Sequence, residues 1–239
     1  MIFTAKILIL CLLLNMIFCF KTYSAVLVKN KMWPTQSELN VVFLDGSLKM
    51  REKVKRYALS WLQNSSLSLK FFNDIHHAPE MTHIRISFSS HTGSQLGDHG
   101  DYYSHDSTLL LNQLNQKDLP EIMKKRIVLH EFGHALGFEH EYRNPKWPYG
   151  SVAINEHINK CVPRMQKIGY TQTKAENKCL DINQPLTKAL VNSTIYDEFS
   201  IMNYPQKILL KDGSYKNISE INKLSALDKL AIERWYGKN

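Results

Sequence analysis

Glycine (10 residues), proline (8) and cysteine (4) are all scarce in this chain of 239 residues. No low-complexity stretch or internal repeat appears, so collagen-like and repeat-array architectures are excluded. Disorder is excluded as well, because 44% of the residues are hydrophobic and only 22% are charged. The length suits one domain of ordinary size or two modest lobes. Acidic side chains are also in short supply: 22 Asp plus Glu face 30 Lys plus Arg, a formal charge of +8. Such a charge permits attraction to nucleic acid or anionic surfaces without demanding it. It reads as a solvated basic surface, and no nucleic acid is expected as a partner.

Long apolar runs are missing too, apart from one at the start. Lys6 precedes Ile7–Phe20, a run broken only by Asn15, and short residues follow at Ser24 and Ala25. This is the pattern of a secretory signal spanning residues 1–25. Its apolar part is shorter than the roughly 20 residues a membrane span needs. The mature protein, residues 26–239, is therefore expected to be exported, secreted or periplasmic, with no stable membrane insertion and as a monomer. Loss of Lys6 and Lys21 lowers its formal charge from +8 to +6. Cys11 and Cys19 leave with the signal, so Cys161 and Cys179 remain. Two cysteines in an exported chain most simply form one disulfide, which would stabilise by roughly 3 kcal/mol through the unfolded chain's entropy.

Along the mature chain, Trp33-Pro34 opens the folded region after a short basic start. Leu39–Leu44 reads as a strand ended by the Asp45-Gly46 turn. Met50, Val54, Tyr57, Ala58 and Trp61 form one helical stripe. Ile84–Phe88 alternates as a strand with one face buried, and Thr108–Leu111 reads as another. A helix is expected over 119–136, with Asp118 as N-cap and Glu121 completing a capping box. Residues 141–195 read as irregular, and a last helix starts at Ser225 with Asp228 three residues on. The fold class implied is α+β.

The chemistry concentrates in His130-Glu131-Phe132-Gly133-His134-Ala135-Leu136-Gly137-Phe138-Glu139-His140, which fits H-E-x-x-H-x-x-G-x-x-H throughout. On a helix His130 and His134 share a face, so both imidazoles reach one ion. Glu131 lies one residue round, placed to act on a water without ligating the metal. Gly137 permits a left-handed turn that ends the helix and brings His140 back as third ligand. Three neutral nitrogens leave a fourth position open, as one catalytic Zn2+ requires. A lone H-E-x-x-H arises by chance, but Gly137 and His140 at these offsets do not fit that reading.

This string resembles the metzincin clan of zinc metalloproteases, whose other hallmark is a methionine-containing turn. Ser200-Ile201-Met202-Asn203-Tyr204-Pro205 matches it. The wording is most similar to the astacins and their bacterial relatives, in which a Glu follows the third His, as Glu141 does, and a Tyr stands two residues after the Met, as Tyr204 does. The resemblance spans nearly all of 33–239. It implies a two-lobed catalytic domain, with a twisted mixed sheet and the active-site helix in a lobe of about 33–138. A loop-rich lobe with a terminal helix would occupy about 139–239. It also implies that Met202 floors the histidines, that Glu131 is the general base, and that Tyr204 ligates the resting zinc or donates to the oxyanion. Tyr204 as a packing aromatic is the alternative. Three departures stand out: Asn203 replaces the usual His, the Cys161/Cys179 pair lies wholly between the third His and the Met-turn, and Ala25 to Trp33 leaves no room for a propeptide.

The function implied is a zinc endopeptidase, with a protein or peptide substrate extended along an edge strand drawn from 98–111. The alternatives are a binding protein on a metzincin scaffold and a zinc hydrolase of non-protein amides. Asp98 and Asp101 offer either a calcium loop or simple turn caps, and Asp197 a supporting role at the site.

Overall fold

The computed structural model describes residues 25–238 apart from Thr194. The signal sequence therefore lies outside the described residues except for Ala25. In chain order the strands are β1 (Val26–Val28), β2 (Glu38–Phe43), β3 (Ser68–Phe72), β4 (Ile84–Ser87), β5 (Thr92–Ser94), β6 (Leu109–Leu111), β7 (Phe138–Glu139), β8 (Val191–Asn192), β9 (Gln206–Leu209) and β10 (Tyr215–Ile218). The helices are α1 (Leu48–Ala58), α2 (Glu121–Ala135), α3 (Gly150–Lys167), α4 (Gln172–Asn183) and α5 (Ala226–Tyr236).

The main sheet has the order β3-β2-β4-β6-β5, with only β5 antiparallel to its neighbour. Its inner strands are apolar because helices cover them: Val41, Phe43, Ile84, Ile86, Leu109 and Leu111 are all buried. The alternation at Ile84–Phe88 does not expose one face. Arg85 is buried with the rest and stays satisfied by donating to the Thr82 and Asp101 carbonyls, each at 2.9 Å. The α1 stripe packs as its periodicity demands, with Val54, Tyr57 and Ala58 buried and Trp61 following in a 3-10 turn.

Several expectations need correction. Residues 141–195 are not irregular; they contain α3 and α4, joined by the Cys161–Cys179 disulfide with a Cα–Cα distance of 5.8 Å. Asp118 does not cap α2, whose N-cap is Pro120 with no side-chain bond. The edge strand beside β6 is β5, residues 92–94, and β6 itself is interior; β3 forms the opposite edge. The folded region also begins before Trp33, because β1 lies between β7 and β8, with Val26 opposite Glu139 and Leu27 opposite both Phe138 and Asn192. By contrast, α5 opens on the expected capping box of Ser225 and Asp228.

The end of α2 is held with care, since the last carbonyls of a helix lack intrahelical donors. Trp33 Nε1 donates to Ala135 O (2.8 Å), Tyr236 OH to Leu136 O (3.0 Å) and Gly97 N to His134 O (2.8 Å). Gly137 then takes φ +95, where a Cβ would sit 2.9 Å from Lys31 O. This turn feeds β7, and pairing of β7 with β1 sets where the next residue, His140, begins.

Candidate metal centre

Three elements build the site. His130, Glu131 and His134 come from α2, His140 from the end of β7, and Tyr204 from the turn after Met202. The imidazole nitrogens of His130, His134 and His140 all lie within 4.8 Å of one another, a grouping compatible with one metal ion.

The hydrogen bonds fix which nitrogens face inward. His130 Nδ1 meets Ile201 O at 2.8 Å and His134 Nδ1 meets Phe138 O at 2.8 Å. His140 Nδ1 meets Glu139 Oε1 at 3.1 Å. Carbonyls and carboxylates only accept, so each Nδ1 carries the proton and donates. Each Nε2 is left with a lone pair, and these converge: His140 Nε2 lies 3.2 Å from His130 Nε2 and 3.1 Å from His134 Nε2. Facing lone pairs repel unless a cation lies between them. Nitrogens bound tetrahedrally at zinc distances stand roughly 3.4 Å apart. The donor set therefore fits zinc.

Electrostatics agree. Burial holds His130 well below the usual histidine range and His134 down to about 4, so both rings are neutral, as ligands must be. Burial raises Glu131 to about 7 against the opposing Arg126 cation. Glu131 Oε2 is buried without a hydrogen-bond partner, an acceptor waiting for a donor.

Met202 is fully buried and its side chain packs against Gly133 of α2. Its turn is fixed from α5, where Asp228 accepts from Ser200 Oγ (2.7 Å) and Ile201 N (3.0 Å). Tyr204 OH lies 3.1 Å from His140 Nε2. Its hydroxyl is pushed up to about 12, by burial and then by Glu131, so it is a protonated donor. A cavity of about 520 Å³ opens beside Tyr204, with Tyr142, Lys160, Arg164 and Lys207 among its lining residues.

The fold matches solved structures. Two solved structures of myroilysin, an astacin-like metalloprotease, align with it. One has a TM-score of 0.69 at 24% identity, over 90% of this chain and 99% of that one. The other has 0.60 at 25%, over 88% and 87%. High choriolytic enzyme 1, a hatching enzyme zinc-protease from Oryzias latipes, aligns at 0.53 and 18%, over 87% and 94%. The chain has an astacin-like metzincin fold. No protein-family model and no curated protein sequence matches it.

Within the astacin-like fold, Asn203 uses Nδ2 to hold Asp197 O at 2.7 Å. Asp197 touches no histidine; its carboxylate accepts from Ser225 Oγ (2.6 Å) and Phe199 N (2.9 Å), tying the turn to α5. Asp98 and Asp101 cap turns, accepting from Gly100 N (3.1 Å) and Ser104 N (3.3 Å). Sequence reasoning missed Glu139 and Arg126. The latter is buried on α2 one turn before His130, and its Nη2 donates to Asn203 O at 3.3 Å.

Proposed function

We propose that this protein is an exported zinc-dependent endopeptidase acting on protein or peptide substrates. The observation that carries the reading is the convergence of three lone-pair nitrogens beside a buried carboxylate oxygen that has no partner. A structural metal site has no use for such a base, which weighs against a binding protein on this scaffold. Export is supported by the Cys161–Cys179 bond, and no helix among the described residues is long and apolar enough to cross a membrane.

His130, His134 and His140 would hold the zinc, which when bound supplies Lewis acidity and acidifies a water. Glu131 takes the proton of the attacking water and later hands it to the leaving amine. Tyr204 donates its hydroxyl to the substrate carbonyl oxygen as negative charge develops there, the kind of contact typically worth ~10²–10³ in rate. An extended peptide adds to the free edge of β5, which packs against α2. One of its side chains enters the cavity beside Tyr204.

Glu131→Gln tests this directly. It keeps the shape and the three ligands but cannot take the proton, so kcat should fall by about 10²–10⁴. Metal analysis should still find one zinc per chain. Peptide hydrolysis at the wild-type rate would refute the mechanism, and hydrolysis of non-peptide amides alone would refute the substrate class.

A further inference from the structure

His140 differs from the other two histidines in what holds it. The rings of His130 and His134 are fixed by backbone carbonyls, whereas His140 leans on the Glu139 side chain. Glu139 Oε1 accepts from His140 Nδ1 (3.1 Å) and from His140 N (2.9 Å). Its other oxygen accepts from Arg143 Nη1 at 3.0 Å. Both Glu139 and Arg143 have largely buried side chains, 13% and 14% exposed.

Arg143 does not stop at Glu139. Its Nη2 donates to Asp181 O (3.0 Å) and its Nε to Gln184 O (3.4 Å), both at the C-terminal end of α4. Leu186 N returns a bond to Arg143 O at 2.8 Å. Carbonyls at a helix end attract a cation, so the guanidinium is at home there. α4 carries Cys179, whose disulfide fixes it to α3. An unbroken series of polar contacts thus runs from His140 through Glu139 and Arg143 to the disulfide-tied helical pair.

We propose that Glu139 and Arg143 are positioning residues that orient the third histidine for zinc and anchor it to the end of α4. The inference rests on the reading of the three histidines as a zinc site. Glu139 locks the His140 ring with Nε2 inward. Arg143 holds the carboxylate in place. Lysine cannot substitute for it, because one ammonium does not present three donors in a planar fork.

The test is zinc affinity, measured by competition with a chelator of known strength, on the full mature chain. Wild type should bind one zinc. Glu139→Gln loses the charge shared with Arg143, and Arg143→Lys loses the fork. Each should weaken zinc binding roughly ten- to a hundredfold, the usual cost of losing such support. A purely structural role would instead lower the melting temperature of the zinc-free protein and leave affinity unchanged. Wild-type affinity in Glu139→Gln would overturn the proposal, and wild-type affinity in Arg143→Lys would overturn the anchoring through α4. Absence of zinc in the wild type would instead refute the zinc-site reading itself. Should a variant fail to fold, the wild type still decides: with nitrogen-15-labelled histidine, the zinc-bound protein should show His140 protonated at Nδ1 and coordinated through Nε2. The opposite tautomer would overturn the proposal.

Discussion

Gly133 sits inside α2, the helix that carries His130 and His134, where a glycine normally costs stability. Replacing it by alanine should therefore gain about 1 kcal/mol from helix propensity alone. The structure predicts the reverse sign. A Cβ at this position would press into Met202 Sδ and lie 3.1 Å from both Met202 Cε and Trp61 Cζ2. Met202 and Trp61 are each 0% exposed, so neither has open space to move into. Overpacking of this kind costs about 1–3 kcal/mol, and with both neighbours enclosed the upper end applies. The net effect of Gly133→Ala should be a loss of about 1–2 kcal/mol, or roughly 2–8 °C in Tm for a chain of this size. Calorimetry on the zinc-free mature protein measures it. Met202→Ala makes room for the new methyl, so the double variant should be less destabilised than the sum of the singles by about 1 kcal/mol or more. A Tm that rises in Gly133→Ala, or strict additivity in the cycle, would refute the claim that the methionine turn is packed directly onto the helix at this glycine.

Two more outcomes are expected in the same protein. Tyr204→Phe removes one hydroxyl, so kcat should fall by about 10²–10³ with KM little changed and zinc retained; an unchanged kcat would make the tyrosine a packing residue. The cavity beside Tyr204 is walled by Lys160, Arg164 and Lys207, of which Lys160 is paired with Glu156 at 2.7 Å. Peptides with an acidic side chain near the cleaved bond should therefore be preferred. Arg164→Glu with Lys207→Glu should cut that preference about tenfold or more in kcat/KM, as charged hydrogen bonds are lost; an unaltered cleavage profile on a peptide library would refute it.

The elements legible in the sequence are those whose signal is local. The α1 stripe repeats with helical spacing, and the Ser225/Asp228 box is formed by residues three apart. The α3–α4 segment escaped because its apolar signal is thin. α3 buries only Ala153 and contains Pro163, while α4 buries only Ala175 and Cys179. Those helices depend on each other and on the disulfide more than on a broad hydrophobic face. β1 escaped because three residues directly after an apolar run carry no periodicity, and its partners lie more than 100 residues away at β7 and β8. Arg85 and Glu139 were unreadable as buried residues for a related reason, since composition marks charge as exposed until the partners are known.

The same division runs through the metal centre. The candidate ligand set follows from spacing along one helix plus a glycine, which singles out His130, His134 and His140, the three residues whose ring nitrogens converge in the structure. Ligand orientation does not, because the group that fixes each ring is drawn from a different distance along the chain: Ile201 is 71 residues from His130, Phe138 is 4 from His134, and Glu139 adjoins His140. Backbone carbonyls serve the first two rings, and any residue type could supply those. The Nδ1 of the third ring instead meets a carboxylate side chain, which in turn meets Arg143. Substitutions at Ile201 or Phe138 that keep the backbone in place should leave ring orientation intact, whereas a substitution at Glu139 removes the group that accepts from His140 Nδ1.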